Sequence, residues 1–162
     1  TVELSSKQLP LERLYTTIAK QPLKTNALLK LLRGQAQSTS GYCEVGFAEG
    51  ATSLLALIGM PNSKVISFDG NEHPITVPVH DHLDAKFPER LTLFLGDPSV
   101  LIPRYITLNP NARCGAIFID GNVDDFAFRD ALVDFRELAD HGEHSHFVAI
   151  NVPADVSLAS VV

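Results

Sequence analysis

The sequence predicts an α/β fold, a doubly wound Rossmann-like sandwich around a mainly parallel sheet. Two observations lead to it: short apolar segments bounded by turn residues recur along the chain, and amphipathic helical patterns lie between them. Strands that alternate with helices form right-handed βαβ units, whose parallel strands are covered on both faces. The predicted strands are 42–46, 64–69, 91–96, 115–120 and 146–151.

Two helices are predicted ahead of the first strand. Apolar residues recur at helical spacing over 11–18, and Pro22 ends that segment. A second apolar stripe covers 23–31, with Gly34 as its C-terminal stop. These two helices precede a polar linker over 35–41, after which the strand–helix alternation begins.

Two prolines mark helices between the strands. Pro78 is expected to start the helix that carries Val79 and Leu83. Pro103 is expected to break or kink the helix that follows the third strand, because proline lacks the amide hydrogen of a helix interior. The helix before the last strand has the clearest apolar stripe, over 128–138.

Length and composition limit the classes of protein. The chain has 162 residues, 45% of them hydrophobic and 20% charged, so we expect one globular domain over 1–162, with N-terminal helices in 1–36 and a core in 42–151. The net charge of −6 disfavours binding to nucleic acid or to an anionic membrane surface, and is compatible with a small neutral or positively charged ligand. No apolar run approaches the ~18 residues of a membrane span, and no secretory leader is recognised, so a cytoplasmic location is expected.

The two cysteines are expected to be reduced core residues. Cys43 lies three residues before Gly46, and Cys114 lies six residues before Asp120. If the ends of those two strands are level, the cysteines are offset by roughly 10 Å along neighbouring strands. That separation is too large for a disulfide.

Acidic residues stand at the carboxyl ends of the predicted strands. Glu44 belongs to the end of the first strand, and Asp69, Asp97 and Asp120 follow or end the next three, while the fifth ends at Asn151. Asp and Asn are common turn residues. In an open parallel sheet, however, these ends face one crevice, which is where ligands bind.

The loop after the first strand contains two glycines, Gly46 and Gly50, but no glycine between them. A dinucleotide site uses the G-x-G-x-x-G pattern to bind pyrophosphate on backbone amides. Here Glu44 and Glu49 would repel a pyrophosphate by roughly 1 kcal/mol or more for each close pair. The two glutamates would instead favour a ligand that carries positive charge, so a nicotinamide-dependent oxidoreductase is the less favoured alternative.

At this point the sequence resembles the class I S-adenosylmethionine-dependent methyltransferases, in particular their small O-methyltransferase-like branch. The resemblance covers about 42–151. It is carried by the ordered set Glu44-Val45-Gly46, Gly50-x-Thr52-Ser53, Ile66-Ser67-Phe68-Asp69, Leu95-Gly96-Asp97 and Ile117-Phe118-Ile119-Asp120-Gly121. It implies S-adenosylmethionine as cofactor, and a cofactor-binding core over 42–151.

The resemblance also implies roles for individual residues. Gly46 and Gly50 would let the backbone approach the methionine part of the cofactor, and Glu44 would help to hold its ammonium group. Asp69 would bind the ribose hydroxyls, and Asp97 would lie at the adenine amino group. The full set of implied cofactor-binding residues is Glu44, Gly46, Phe47, Gly50, Thr52, Ser53, Asp69, Gly70, Asp97 and Asp120.

Catalysis and metal binding are expected at the ends of the fourth and fifth strands. The resemblance implies Asp120 near the reacting methyl group, as base or ion ligand, with Asn151 as its helper. Metal-dependent members add an Asp-Asn pair after the fifth strand. Here that place reads Ile150-Asn151, so one carboxylate is lacking and any divalent metal site would consist of Asp120 and Asn151.

The expected function is methyl transfer from S-adenosylmethionine to a small-molecule acceptor at oxygen. The alternative is a methyltransferase-like domain that binds a ligand or a partner without catalysis. The family normally has seven strands, and this chain stops soon after the fifth. The resemblance therefore leaves open whether the sheet is truncated after the fifth strand. The sequence does not identify the acceptor or the oligomeric state.

Overall fold

The computed structural model describes residues 8–70, 73–120, 125–139 and 146–150. In these ranges five parallel strands form one sheet in the order β3-β2-β1-β4-β5. The strands are β1 Gly41–Val45, β2 Val65–Asp69, β3 Leu91–Leu95, β4 Cys114–Asp120 and β5 His146–Ile150. The predicted doubly wound α/β fold is confirmed, and β1 is the central strand from which the order runs outward in both directions.

Six helices accompany the sheet in the described residues. They are α1 Gln8–Lys20, α2 Pro22–Gly34, α3 Ala51–Gly59, α4 Thr76–Lys86, α5 Pro98–Leu108 and α6 Asp125–Leu138. None of the helices in this part of the chain combines the length and the apolarity that crossing a bilayer would require.

The core consists of two layers, one on each face of the sheet. Side chains alternate along β1, so Tyr42 belongs to the layer formed with α1–α4 and Cys43 to the layer formed with α5 and α6. Phe47 and Leu32 are fully buried in the first layer, and Phe135 is fully buried in the second. Because Glu44 is two residues after Tyr42, its side chain points into the first layer, beneath α3.

The prediction that every strand is covered on both faces is wrong for β3. This strand lies at the edge of the described sheet, beside β2 only. Leu91 is buried, but Leu95 is 41% exposed. The apolar sequence of β3 therefore reflects half-burial at an edge rather than full burial.

Two helix expectations are also corrected. The helix after β2 begins at Thr76, two residues before Pro78. Pro78 is tolerated there because the amides of the first turn have no hydrogen-bond partner within the helix. Pro103 lies inside α5 without ending it, so the expected break is wrong, while a kink at Pro103 stays a prediction. That helix is held by the buried Ile102 and by Asp97, whose side chain caps its N-terminus.

The prediction that the cysteines are reduced is wrong, although both are core residues as expected. Cys43 and Cys114 form a disulfide with a Cα–Cα distance of 5.8 Å. The ends of the two strands are level, as assumed, but the ladder between them is irregular, because the register of β1 against β4 shifts between Gly41 and Tyr42. Gly115 is the extra residue of that irregularity, which brings Cys114 closer to Cys43 than a regular ladder would.

Candidate active site

The glycine loop, residues 46–50, connects β1 to α3 and turns sharply. Gly46 has φ 95°, Ala48 has φ 47° and Gly50 has φ 73°. The left-handed region suits glycine and is uncommon for alanine. Gly50 also has no room for a side chain, since a Cβ there would lie 2.7 Å from Val79 Cγ1. The second glycine therefore allows the loop to pack directly on α4.

Ala48, at the middle of the glycine loop, is held on both sides of its backbone. Asp69 Oδ2 accepts a hydrogen bond from the Ala48 N–H at 2.8 Å. Thr76 Oγ1 donates to the Ala48 carbonyl at 3.0 Å. The end of β2 and the start of α4 thus fix the loop, and they satisfy the polar groups of its strained residue.

Glu44 lies directly beneath the loop and is completely buried. Tyr42 Oη donates to Glu44 Oε2 at 2.8 Å, and Thr52 Oγ1 donates to the same oxygen at 2.6 Å. Ser53 Oγ donates to Oε1. These three hydroxyls compensate for the loss of water around the acid.

Burial raises the pKa of Glu44 above its usual value of 4.5, and the hydrogen bonds from Ser53, Thr52 and Tyr42 oppose that rise. Burial also raises the pKa of Tyr42 well above 10.0, with Glu44 adding to the effect. The tyrosine therefore stays protonated and remains a donor to the carboxyl group. Through these contacts Glu44 joins β1 to the first turn of α3.

The other implied cofactor residues are distributed along this edge of the sheet. Asp97 is exposed at the end of β3 and caps α5, with Oδ1 accepting from the Ser99 N–H at 2.9 Å. Gly70 is exposed directly after Asp69. Asp69 itself is buried, with 7% of its surface exposed. Each of these residues follows or ends a strand, as predicted, but their contacts with a cofactor stay a prediction.

A cavity of about 480 Å³ lies beside the glycine loop. One wall comes from α1 and α2, and the other from the loop, α3 and β4. Its lining is Thr17, Ile18, Gln21, Lys24, Thr25, Ala27, Leu28, Leu31, Gly46, Phe47, Ala48, Glu49, Ala51, Thr52, Leu55, His73 and Phe118. The cavity brings together Gly46, Phe47 and Thr52 from the predicted set, whereas Glu44, Ser53, Asp69 and Asp97 lie outside its lining.

The predicted catalytic pair is only partly within the described residues. Asp120 is the last residue of β4 and pairs with Ile150 of β5. Because Ile119 pairs with Val45, the Asp120 backbone is level with Gly46, at the carboxyl edge of the sheet. Asn151 lies outside the described residues. Within the described part of the chain, no three His, Cys, Asp or Glu side chains are arranged to hold a metal ion.

Sequence reasoning missed two contacts of the site. It gave Thr76 no role, although this residue binds the loop carbonyl. It also did not foresee that Thr17 Oγ1 donates to Glu49 Oε2, which ties α1 to the glycine loop. Both contacts join residues far apart in the chain, and a hydroxyl in an amphipathic helix gives no local signal of its distant partner.

Comparison with protein-family models gives no match, and comparison with curated proteins gives none either. Solved structures do resemble the chain. The calicheamicin methyltransferase CalS11 has a TM-score of 0.62 at 14% identity, over 92% of this chain and 79% of that one. A putative caffeoyl-CoA O-methyltransferase from Staphylococcus aureus has a TM-score of 0.61 at 16% identity, over 86% of this chain and 64% of that one.

An O-methyltransferase family protein from Burkholderia thailandensis has a TM-score of 0.62 at 9% identity, over 90% of this chain and 42% of that one. The chain thus spans less than two thirds of the Staphylococcus and Burkholderia proteins. At these identities the likeness concerns the fold. The chain shares the Rossmann-like fold of these solved methyltransferases.

Proposed function

We propose that this chain binds S-adenosylmethionine at the glycine loop and transfers its methyl group to an oxygen atom of a small-molecule acceptor. The observation that carries the proposal is the contact between Asp69 and the Ala48 N–H. It joins an acid at a strand end to a loop whose residues line a cavity. That combination lies at the central strand of the sheet, where ligands of such folds bind.

The residues at this edge fit a cationic nucleoside. S-Adenosylmethionine carries an ammonium and a sulfonium, and acids favour positive charge in their surroundings. Glu49 lines the cavity, and Asp69 stands at the end of β2, next to the same loop. The cavity volume of about 480 Å³ lies within the range of small-ligand pockets.

Each residue of the proposed cofactor site has a distinct task. Gly46 and Phe47 border the methionine part, and Gly50 lets the loop approach α4. Asp69 and Gly70 bind the ribose, and Asp97 binds the adenine amino group while it caps α5. Glu44 acts indirectly from beneath the loop. It accepts hydrogen bonds from Thr52 and Ser53 and thereby fixes the first turn of α3.

When bound, S-adenosylmethionine would supply an electrophilic methyl group for transfer to the acceptor oxygen, and S-adenosylhomocysteine would be the leaving group. The chain's contribution is to position the acceptor and to receive its proton. We assign the proton to Asp120, with Asn151 as helper, because Asp120 ends β4 level with Gly46. A divalent ion at Asp120 and Asn151 is an additional proposal, and it would be seen as magnesium-dependent binding or turnover.

Isothermal titration calorimetry with S-adenosylhomocysteine tests the cofactor site. We expect one site in the wild type, and binding at least about tenfold weaker in Asp69→Asn, which corresponds to about 1.4 kcal/mol. Asparagine can still accept the Ala48 N–H, so the loop is retained while the carboxylate is lost. Asp81→Asn is the matched control, since Asp81 is exposed on α4 and its side chain has a hydrogen bond only with His80 among the described residues.

Absence of binding in the wild type, or equal binding in Asp69→Asn, would refute the site. Saturable NAD binding without S-adenosylhomocysteine binding would instead favour an oxidoreductase. Titrations with and without magnesium test the metal. If S-adenosylmethionine binds but no acceptor is methylated, the alternative function, ligand binding without catalysis, would be favoured.

A further inference from the structure

The net charge of −6 conceals an uneven distribution of charge along the chain. Residues 1–43 contain six basic and two acidic side chains, whereas residues 44–162 contain seven basic and seventeen acidic ones. The first part therefore has a net charge of +4 and the second a net charge of −10. No Asp or Glu occurs between Arg13 and Cys43. Going beyond the proposed function, we propose that the N-terminal helices carry a binding surface for a single-stranded nucleic acid.

The basic surface consists of four exposed side chains of α1 and α2, namely Lys20, Lys24, Lys30 and Arg33. Among the described residues, none of the four forms an ion pair. Asn26, Lys30 and Arg33 are all exposed and follow at spacings of four and three residues, so they share one face of α2. Leu32, on the opposite face, is fully buried in the core. The basic face of α2 is therefore directed to solvent.

Helix stability does not account for these basic residues. Arg33, in the last turn of α2, favours the helix dipole, but Lys24, in the first turn, opposes it. The first turn also contains no acid, although an acid would be stabilising there. The unpaired cations thus create a positive potential on this side of the described chain, and an external polyanion would be attracted to it.

The chemistry of the surface favours a polynucleotide over an anionic membrane. Leu23 is the one large apolar side chain that α2 exposes, and binding at a bilayer surface depends on the apolar area that is buried there. Gln21 and Lys24 also line the cavity beside the glycine loop. The surface thus continues into amide and ammonium donors, which hydrogen-bond phosphate and sugar oxygens.

The size of the surface favours a single strand over a duplex. The 13 residues of α2 span about 20 Å, at about 1.5 Å per residue. A stiff duplex, with a persistence length of about 50 nm, would extend beyond this helix and bring its charge towards the acidic remainder of the chain. A flexible single strand can follow the short basic face alone.

Fluorescence anisotropy with a fluorescein-labelled oligouridylate of about 12 nucleotides tests the proposal on the full chain. Four phosphate contacts predict a slope of log K against log salt of about −3, since each contact to a single strand contributes about −0.7. The double variant Lys30→Gln, Arg33→Gln should bind more weakly and have a slope smaller by about 1.4. Glutamine is a good helix former, so α2 should be retained, as checked by circular dichroism.

The double variant Arg104→Gln, Arg136→Gln is the matched control. It removes the same charge from exposed positions of α5 and α6, which pack on the other face of the sheet. We expect it to bind the oligouridylate with the wild-type slope. Equal losses in the two double variants would overturn the proposal, because they would show an effect of net charge rather than of this surface.

Three other outcomes would also overturn the proposal. The first is no anisotropy change at about 50 mM salt. The second is binding to phosphatidylserine vesicles without binding to the oligouridylate, which would assign the surface to a membrane. The third is salt-sensitive self-association without oligouridylate binding, which would assign it to the acidic part of a second copy. Since none of the substituted residues belongs to the proposed cofactor site, S-adenosylhomocysteine should bind both double variants as it binds the wild type, and its failure to bind the wild type would refute the proposed function alone.

Discussion

Asp69 Oδ2 accepts the backbone N–H of Ala48 at 2.8 Å, so the acid that ends β2 holds the loop that follows β1. Ala48 has a left-handed backbone with φ 47°, a conformation that costs free energy for a residue with a side chain. The hydrogen bond provides local compensation for that cost. The Asp69 carboxylate therefore has two roles: it stabilises the conformation of the loop, and it supplies the negative charge at the proposed ribose site.

Thr76→Val removes the second hydrogen bond to Ala48 and nearly preserves the side-chain volume. Thr76 is fully buried and donates to the Ala48 carbonyl, so we expect a loss of about 1 kcal/mol in the free energy of unfolding. Urea titration measures it. Thr107→Val is the control, because Thr107 is exposed and donates only within α5. Equal effects of the two substitutions would contradict the role of Thr76.

Gly50→Ala tests the close packing of the loop on α4. The added Cβ would lie 2.7 Å from Val79 Cγ1, and φ at this position is 73°. We expect a destabilisation of about 1–3 kcal/mol, measured by chemical unfolding. Gly34→Ala, at the end of α2, meets nothing within 4 Å and should be neutral or stabilising. A wild-type midpoint for Gly50→Ala would show that the loop can move away from α4.

Glu44→Gln tests the buried acid through the dependence of stability on pH. Burial raises the pKa of Glu44, so the folded state binds more protons than the unfolded state between pH 4.5 and the folded-state pKa. Stability is therefore expected to fall as pH rises through that window. Glutamine keeps the shape without the charge, and its stability should fall less over the same range, as measured by urea midpoints. Identical pH profiles would contradict this account.

The Cys43–Cys114 disulfide predicts no free thiol in the unreduced protein. Both residues are buried, so thiol labelling is done in denaturant, and the mass should show no added label. A double Cys43→Ala, Cys114→Ala variant should lose about 2–4 kcal/mol, because the bridge restricts the unfolded chain over a separation of 71 residues. Labelling of two thiols without reductant would contradict the bridge.

The sequence predicts most of the fold because local patterns determine its elements. Each strand is a short apolar run between turn residues, and the observed strand 65–69 lies within the predicted 64–69. The parallel arrangement of the strands follows from the alternation of strands and helices. The disulfide was not predicted because it depends on a register shift near Gly41, and a bulge between distant segments leaves no clear local pattern.

The site was predicted in part, for a similar reason. Acids at strand ends are visible in the sequence, since parallel strands bring their carboxyl ends to one edge. What each acid contacts is decided by three-dimensional packing. Asp97 caps a helix, Glu44 is enclosed by three hydroxyls, and Asp69 binds a loop amide. The cavity between α2 and Phe118 depends on how the N-terminal helices pack, which periodicity alone does not determine.

The central claim, that the glycine loop and the end of β2 form a cofactor site, is tested most directly by amide chemical shifts. In a titration with S-adenosylhomocysteine, we predict the largest shifts at Gly46, Ala48, Asp69 and Gly70, with little change in α6. Shifts confined to other parts of the chain, or none at saturating ligand, would contradict the claim.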